Sequence, residues 1–321
     1  MKAIVQHEFG NADVLTYTEV PFPKLDDGEC LIRVAYTSVN YADIKARTGN
    51  KGKGNFPLTI GLDASGTIVE TTAQSNFSIG DRVIAFPKAG SYSEYVVANE
   101  KLVYKIPESL SFEQAATMPT VSILSYMLLH EIGQVQPHDT VVIHSAAGGV
   151  GSMLVQLAKL AGVQKIIATV GNLEKADYVK NQGADVVCTY ESFATEVLKE
   201  TNQKGANVIF DSVAGDVTSQ SLQCLALYGT LVQFGNSSGK TGTIKTSDVH
   251  SSCRNVKGFS LGTTRKHDPE RLAPIAEKVI ALFATNQLSL KVAKVFDLVN
   301  AKEAHKLIES RNYEGKVLLK A

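Results

Sequence analysis

Thr140-Val141-Val142-Ile143-His144-Ser145-Ala146-Ala147-Gly148-Gly149-Val150-Gly151 is the stretch on which the reading of this chain turns. It opens with four β-branched residues in a row, which lose χ1 freedom in a helix and pack well on a pleated sheet. A glycine-rich turn follows, and Ser152 to Ala161 is patterned like a helix. A dinucleotide pyrophosphate needs three things at such a corner. These are a tight turn, an approach that no side chain obstructs, and a helix N-terminus aimed at the phosphates. Gly148 and Gly149 permit the approach, and Gly151 lets the helix pack closely on the strand. The first glycine of the usual G-x-G-x-x-G is Ala146 here, so the pattern is imperfect and an ordinary βα loop is the competing reading.

The sequence on either side decides between them. Lys165 to Val170 is the next strand, followed by a helical stretch from Glu174 to Asn181. Residues 185–190, 207–213 and 230–235 supply further strands with helices between. Short apolar strands alternating with helices predict βαβ units and a parallel, doubly covered sheet. Six of the nine prolines lie in the first 119 residues and none between 138 and 268, so the middle is the regular part. The first segment alternates short apolar runs (30–35, 67–69, 81–86, 92–97) with turn signals and reads as β-rich. Beyond about residue 265 the chain turns charged and helical, from Pro274 to Asn286, and closes on the strand-like Lys316-Val317-Leu318-Leu319.

Which dinucleotide would bind depends on the end of the second strand. An acid there bonds the ribose 2′-hydroxyl of NAD and repels a 2′-phosphate. This strand ends Thr169-Val170-Gly171-Asn172 without an acid, and Lys175 follows within a turn. Glu174 is expected to point away from Lys175, about 100° round a helix. Gly171 and Lys175 therefore favour NADPH; a solvated helix-face lysine is the plainer alternative.

Length and charge agree. At 321 residues the chain has room for two domains, and 32 basic against 32 acidic residues leave no net charge. That balance makes nucleic acid an unlikely partner, since counterion release needs a clustered cationic excess. The four cysteines (30, 188, 224, 253) contain no C-x-x-C, and the seven histidines form no close ligand pair, so no metal site is predicted. No G-x-S-x-G elbow supports a hydrolase. No apolar leader or membrane span is found, which predicts a reduced, cytoplasmic protein.

The ordered motifs resemble the zinc-free quinone oxidoreductase and ζ-crystallin branch of the medium-chain dehydrogenase/reductase superfamily over essentially the whole chain. They are Asn40-Tyr41-Ala42-Asp43 with Arg47-Thr48-Gly49, Gly61 to Gly66, Ile79 to Val83, Gly90 to Tyr95, Ala146 to Gly151, Phe210 to Val213 and Phe234 to Gly239. The resemblance implies a Rossmann-type doubly wound parallel sheet domain, 122–265, inserted in a β-rich GroES-like catalytic domain formed by 1–121 and 266–321. It places Gly148, Gly149, Val150 and Gly151 at the pyrophosphate. Gly171, Lys175, Tyr190 and Arg311 would surround the 2′-phosphate. Phe234, Asn236 and Ser237 would line the nicotinamide side, with Thr120 near the domain cleft and Asn40 facing the substrate carbonyl. Sheet packing is the alternative for Tyr190 and Phe234, a surface ion pair for Arg311.

The zinc-dependent relatives carry a cysteine near Asn40 and a histidine near Leu62, so the resemblance implies a metal-free enzyme. It also implies NADPH-dependent reduction of quinones and a homodimer, often through edge strands of the cofactor domains. The alternatives are reduction of an enone or alkenal C=C bond on the same fold, and a ζ-crystallin-like structural or RNA-binding role. Lys45 and Lys51 stand where family members often have tyrosines, which raises the expectation of polar or anionic acceptors.

Overall fold

The computed structural model describes residues 1–50 and 54–321. The chain divides into two units: Met1–Ile123 with Thr264–Ala321, and Leu124–Thr263.

The Leu124–Thr263 unit is built on a six-stranded sheet. Its strand order is Val186–Thr189, Lys165–Val170, Thr140–Ile143, Ala206–Asp211, Leu225–Gln233, Asn255–Gly258, and every pair is parallel. Val141, Val142, Ile143, Ile166, Ile167 and Ile209 are fully buried. Helices cover both faces, and that is why these strands read as continuous apolar runs and not as alternation. Val142, Ile167, Ile209 and Leu231 pack with Phe193, Val197 and Leu222 from the helices Phe193–Glu200 and Asp216–Gln223. The order reverses between Thr140–Ile143 and Ala206–Asp211. In such sheets ligands bind outside the carboxyl ends at this switch point. Among the elements that escaped the sequence reading are the edge strand Asn255–Gly258, three of its four residues polar or glycine, and a π-helix over Met127–Ile132.

In the other unit, a seven-stranded sheet centres on the long strand Glu29–Val39. Ala64–Thr71 and Tyr95–Asn99 pair with it antiparallel. So does the last strand, Lys316–Lys320, in a register that sets Val317 opposite Val39. This pairing carries the C-terminus back to the start of the chain and brings Lys316 level with Asn40. The helix Ala301–Ser310 buries Ala301, Ala304, His305 and Ile308 against this sheet, beside Ile4, Leu15, Ile44 and Tyr92. Among the described residues no helix is long and apolar enough to cross a membrane.

Candidate active site

The glycine loop is held by contacts that the motif does not announce. Ser145 takes a left-handed φ of 55°. Its N–H donates to the Tyr190 hydroxyl at 2.9 Å, and its Oγ lies 3.0 Å from the same oxygen. Tyr190 thus pins the turn. The Ala146 N–H donates to Thr169 O at 3.0 Å, and the Ser152 hydroxyl reaches back to Ala146 O at 3.2 Å. Gly148 caps the helix Gly149–Leu160 with no side chain to bond the first-turn N–H groups, which have no acceptor within a helix either. A Cβ on Gly151 would stand 2.3 Å from Ser145 O and 2.6 Å from the Ala146 Cα, so only glycine fits between loop and helix. Underneath, buried His144 bridges Thr169 Oγ1 and Ser221 Oγ, each at 2.9 Å. Ser221 spends its hydrogen on Val217 O at 2.7 Å, so it accepts from His144 Nε2–H, and Nδ1 accepts from Thr169. Burial keeps this ring neutral, its pKa lowered to about 4.

At the end of the second strand, a Cβ on Gly171 would meet nothing within 4 Å. The next residues form a 3₁₀ turn, Leu173–Lys175, ahead of the helix Ala176–Asn181, and not the single helix the sequence suggested. Asn172 caps this turn, accepting from Glu174 N–H at 3.0 Å and donating to the Glu174 carboxylate at 2.6 Å. The Glu174 carboxylate is therefore held by a neighbour's amide, in a 3₁₀ turn where the α-helical spacing expected for it does not apply. Across the switch point, Phe234 N–H donates to Asp211 O, Ser237 N–H to Ser212 O and Ser238 N–H to Val213 O, at 2.9–3.0 Å. These bonds fix the Phe234–Asn236–Ser237 loop beside residues 211–213. Asp211 is fully buried and supports its own loop, accepting from Val213 N–H, Ala214 N–H and Thr218 Oγ1.

In the Met1–Ile123 and Thr264–Ala321 unit, Asn40 starts the helix Tyr41–Arg47, and its N–H donates to the Asp43 carboxylate at 2.8 Å. Its side chain is enclosed. Nδ2 lies 3.1 Å from Ser38 Oγ, 3.4 Å from Ser38 O and 3.3 Å from Asp63 Oδ2, while Oδ1 accepts from Lys316 Nζ at 2.8 Å. Asp63 also accepts from Ser38 Oγ at 2.6 Å and from the Thr120 N–H at 3.1 Å. The Thr120 hydroxyl is buried with no partner among the described residues, so it is an acceptor and donor in reserve. Lys316 is buried, and desolvation lowers its pKa while Asp63 and Asp43 pull it back.

The rest of the N-x-x-D-x-x-x-R spacing has a structural use. Four residues apart on one helix, Asp43 and Arg47 share a face and point inward. The Arg47 side chain is fully buried, pairs with Glu309, and donates to Gly10 O at 3.1 Å and to His305 Nδ1 at 3.1 Å. An arginine only donates, so His305 carries its hydrogen on Nε2, facing the Tyr92 hydroxyl at 3.0 Å. Burial, then the Arg47 charge, depress His305 to about 3. Lys45 lies on the same helix 5.9 Å from the Tyr41 ring centre, and partial burial lowers its pKa. Lys51, like Lys53 beside it, lies outside the described residues. Arg311 is exposed, in a left-handed conformation (φ 56°) at the C-terminus of the helix Ala301–Ser310.

Lys316 and Ser38 were not expected at this site. The signal was a lysine set between Gly315 and the apolar run Val317-Leu318-Leu319. Cys30, Cys188 and Cys224 are buried free thiols whose pKa values burial raises, and Cys253 is an exposed one.

Comparison with known proteins agrees with this geometry. Residues 26–108 match the alcohol dehydrogenase GroES-like domain family, and residues 149–278 the zinc-binding dehydrogenase family. A probable quinone oxidoreductase of Schizosaccharomyces pombe is 33% identical, over 97% of this chain and 94% of that one. Quinone oxidoreductase 1 of Escherichia coli is also 33% identical, over 98% and 97%. The crystal structure of an Escherichia coli quinone oxidoreductase complexed with NADPH superposes with a TM-score of 0.94 over the full length of both chains, at 28% identity. Sequence, sheet order and glycine loop thus converge: the chain belongs to the quinone oxidoreductase branch of the medium-chain dehydrogenase/reductase superfamily.

Proposed function

We propose that this chain reduces quinones with NADPH and needs no zinc to do so. What carries this reading is the wall around Asn40. Where zinc-dependent relatives present a thiolate and an imidazole, this chain presents an amide and the aliphatic Leu62. The amide oxygen is already bonded to the ammonium of Lys316. The carboxylates of Asp43 and Asp63 remain, and the Lys316 ammonium that both attract disfavours a dication beside them. The likeness to the zinc-binding dehydrogenase family therefore speaks for the fold and not for a metal.

The residues at the glycine loop fit a nicotinamide dinucleotide. Unspent N–H groups of Gly149, Val150 and Gly151 suit a pyrophosphate, with Gly148 leaving the approach clear. The open space at Gly171, without a carboxylate at the strand end, suits the adenosine ribose. Lys175 and Arg311 are the cations assigned to its 2′-phosphate, with Tyr190, whose hydroxyl holds the turn at Ser145. Phe234, Asn236 and Ser237 are assigned to the nicotinamide side, together with the Thr120 hydroxyl. NADPH, when bound, supplies the hydride, and the quinone takes it up with a proton as the hydroquinone. The protein's part is to orient the acceptor and stabilise the charge that develops on its oxygen, a role assigned to the Asn40 amide. A neutral amide stabilises an oxyanion less than a metal does, which favours quinones, whose reduced forms are delocalised, over simple ketones.

NADPH oxidation measured against a panel of quinones, enones and simple ketones tests the reading. Quinones are expected to lead, and activity confined to simple ketones overturns it. Product analysis on one enone separates the C=C reductase alternative. A homodimer is proposed through the strand Asn255–Gly258, bonded on one side only, with Val256 exposed; a monomeric mass in light scattering contradicts it. Free, mostly buried thiols suit a reducing, cytoplasmic setting.

A further inference from the structure

We propose that Lys316 is a positioning residue for the reduction, holding the carbonyl of Asn40 so that the amide presents only donor hydrogens to the reacting oxygen. The inference rests on the role assigned to Asn40 above and adds the group that makes that role possible. An asparagine amide is symmetric in outline, and either end can face a substrate unless its neighbours decide otherwise. Here the neighbour is an ammonium, which has three donors and no acceptor. Placed 2.8 Å from Oδ1, it admits only the carbonyl end. Nδ2 is thereby turned toward Ser38 and Asp63.

The same contact changes the strength of the amide. A full positive charge on the carbonyl oxygen draws electron density from nitrogen, and in a buried site this polarisation is little screened. The N–H groups of Asn40 become better donors than those of a free amide. Three acceptors share its two hydrogens at 3.1–3.4 Å, the long side of the usual range. A developing oxyanion is a stronger acceptor than the Ser38 carbonyl or hydroxyl and displaces one of them. The cation thus acts on the substrate oxygen through the amide, at the place where relatives set a metal.

Packing alone does not account for a lysine here. Lysine is among the residues least often buried, and Val317, Leu318 and Leu319 beside it are fully buried aliphatics. Replacing buried charges by apolar groups of similar volume is often neutral or stabilising for a fold. Lys316 also donates to Val39 O at 3.3 Å, the residue before Asn40, so it grips both the side chain and its backbone approach.

The test is a double-mutant cycle on the purified enzyme with NADPH and a quinone, using Asn40→Ala, Lys316→Met and the double variant. NADPH affinity by fluorescence and the thermal midpoint are read in parallel. Asn40→Ala is expected to lower kcat about 100-fold, the loss typical of a single oxyanion donor. Lys316→Met is expected to lower kcat at least about tenfold with NADPH affinity unchanged, and to add almost nothing in the Asn40→Ala background. Lys316→Arg, which keeps the charge, restores part of the rate. Should Lys316→Met not fold, Lys316→Gln keeps a donor to Asn40 without the charge and is expected to lose kcat in the same way. Full kcat in Lys316→Met or Lys316→Gln overturns the proposal, as does a double variant whose loss is the product of the two single losses. Full activity in Asn40→Ala is a different failure: it removes the role of Asn40 itself.

Discussion

Each unit buries one neutral histidine, and the two are kept in different company. His144, in the cofactor-binding unit, sits between the hydroxyls of Thr169 and Ser221 beneath the glycine loop. His305, in the other, sits between a guanidinium and a phenol, Arg47 and Tyr92, and the Tyr92 hydroxyl continues to the Asp43 carboxylate at 3.4 Å. One network is neutral and supports a backbone turn that strand and helix already define. The other is ionic and joins residues 258 positions apart. The difference separates two ways of building a site: shaping backbone, where glycine is the critical residue, and balancing buried charge, where every ion depends on its partners.

The ionic side is expected to break hardest. Arg47→Ala empties a fully buried volume, strips His305 and Gly10 O of their donor and leaves Glu309 unpaired. A loss of about 4 kcal/mol follows, read as a lowered urea midpoint. A loss under about 1 kcal/mol, the range of surface pairs, would mean that the network contributes no more than an exposed bridge does. On the backbone side, Gly151→Ala forces a methyl to within 2.3 Å of Ser145 O. Expected are about 2 kcal/mol of destabilisation from overpacking and a steep fall in NADPH affinity; the destabilisation is absent in Gly171→Ala, where a Cβ meets no protein atom within 4 Å. Equal behaviour of the two variants would contradict the loop packing.

The same contrast explains what could be read from the sequence. The parallel sheet was legible because it is buried on both faces, so that Thr140–Ile143 and Lys165–Val170 appear as unbroken apolar runs. The glycine loop was legible because its chemistry is local: strand, turn and helix are consecutive. Tyr190 could be singled out only by resemblance, and its hydroxyl proves to hold Ser145, a contact 45 residues away. Lys316 was illegible for a stronger reason. Nothing near it in the chain demands a charge; the demand comes from Asn40, Asp63 and Asp43, which strand pairing alone brings alongside. The strand Asn255–Gly258 was missed because an edge strand carries neither continuous apolar character nor clean alternation.

Acid sharpens the comparison further. Both histidines have folded pKa values below the 6.5 of a free imidazole, about 4 for His144 and about 3 for His305. Below pH 6.5 the unfolded chain therefore binds protons that the folded chain refuses. Stability is complete above that pH and falls as pH drops, by about 1.4 kcal/mol per pH unit for each histidine. The fall continues to about pH 4 for His144 and about pH 3 for His305. Urea midpoints at pH 7.5, 6 and 5 measure the slope. His144→Gln and His305→Gln should each remove one histidine's share, and an unchanged slope in either variant places that ring outside the acid response.

The smallest effect concerns the one place where the cofactor-binding unit is assigned a charge. Its loop is selected by shape, and shape does not distinguish NADPH from NADH. Discrimination falls to the cations assigned to the adenosine end. Lys175 follows Glu174, whose carboxylate accepts from the Asn172 amide at 2.6 Å. Lys175→Ala should weaken NADPH binding about tenfold, roughly 1.4 kcal/mol, and leave NADH binding within about twofold, as read by nicotinamide fluorescence. A tenfold loss for both cofactors would mean that Lys175 shapes the turn, and the unit would then work by backbone alone. Equal affinity of the unaltered protein for both would remove the assignment of Lys175 to the 2′-phosphate and leave the glycine loop to select its dinucleotide by shape.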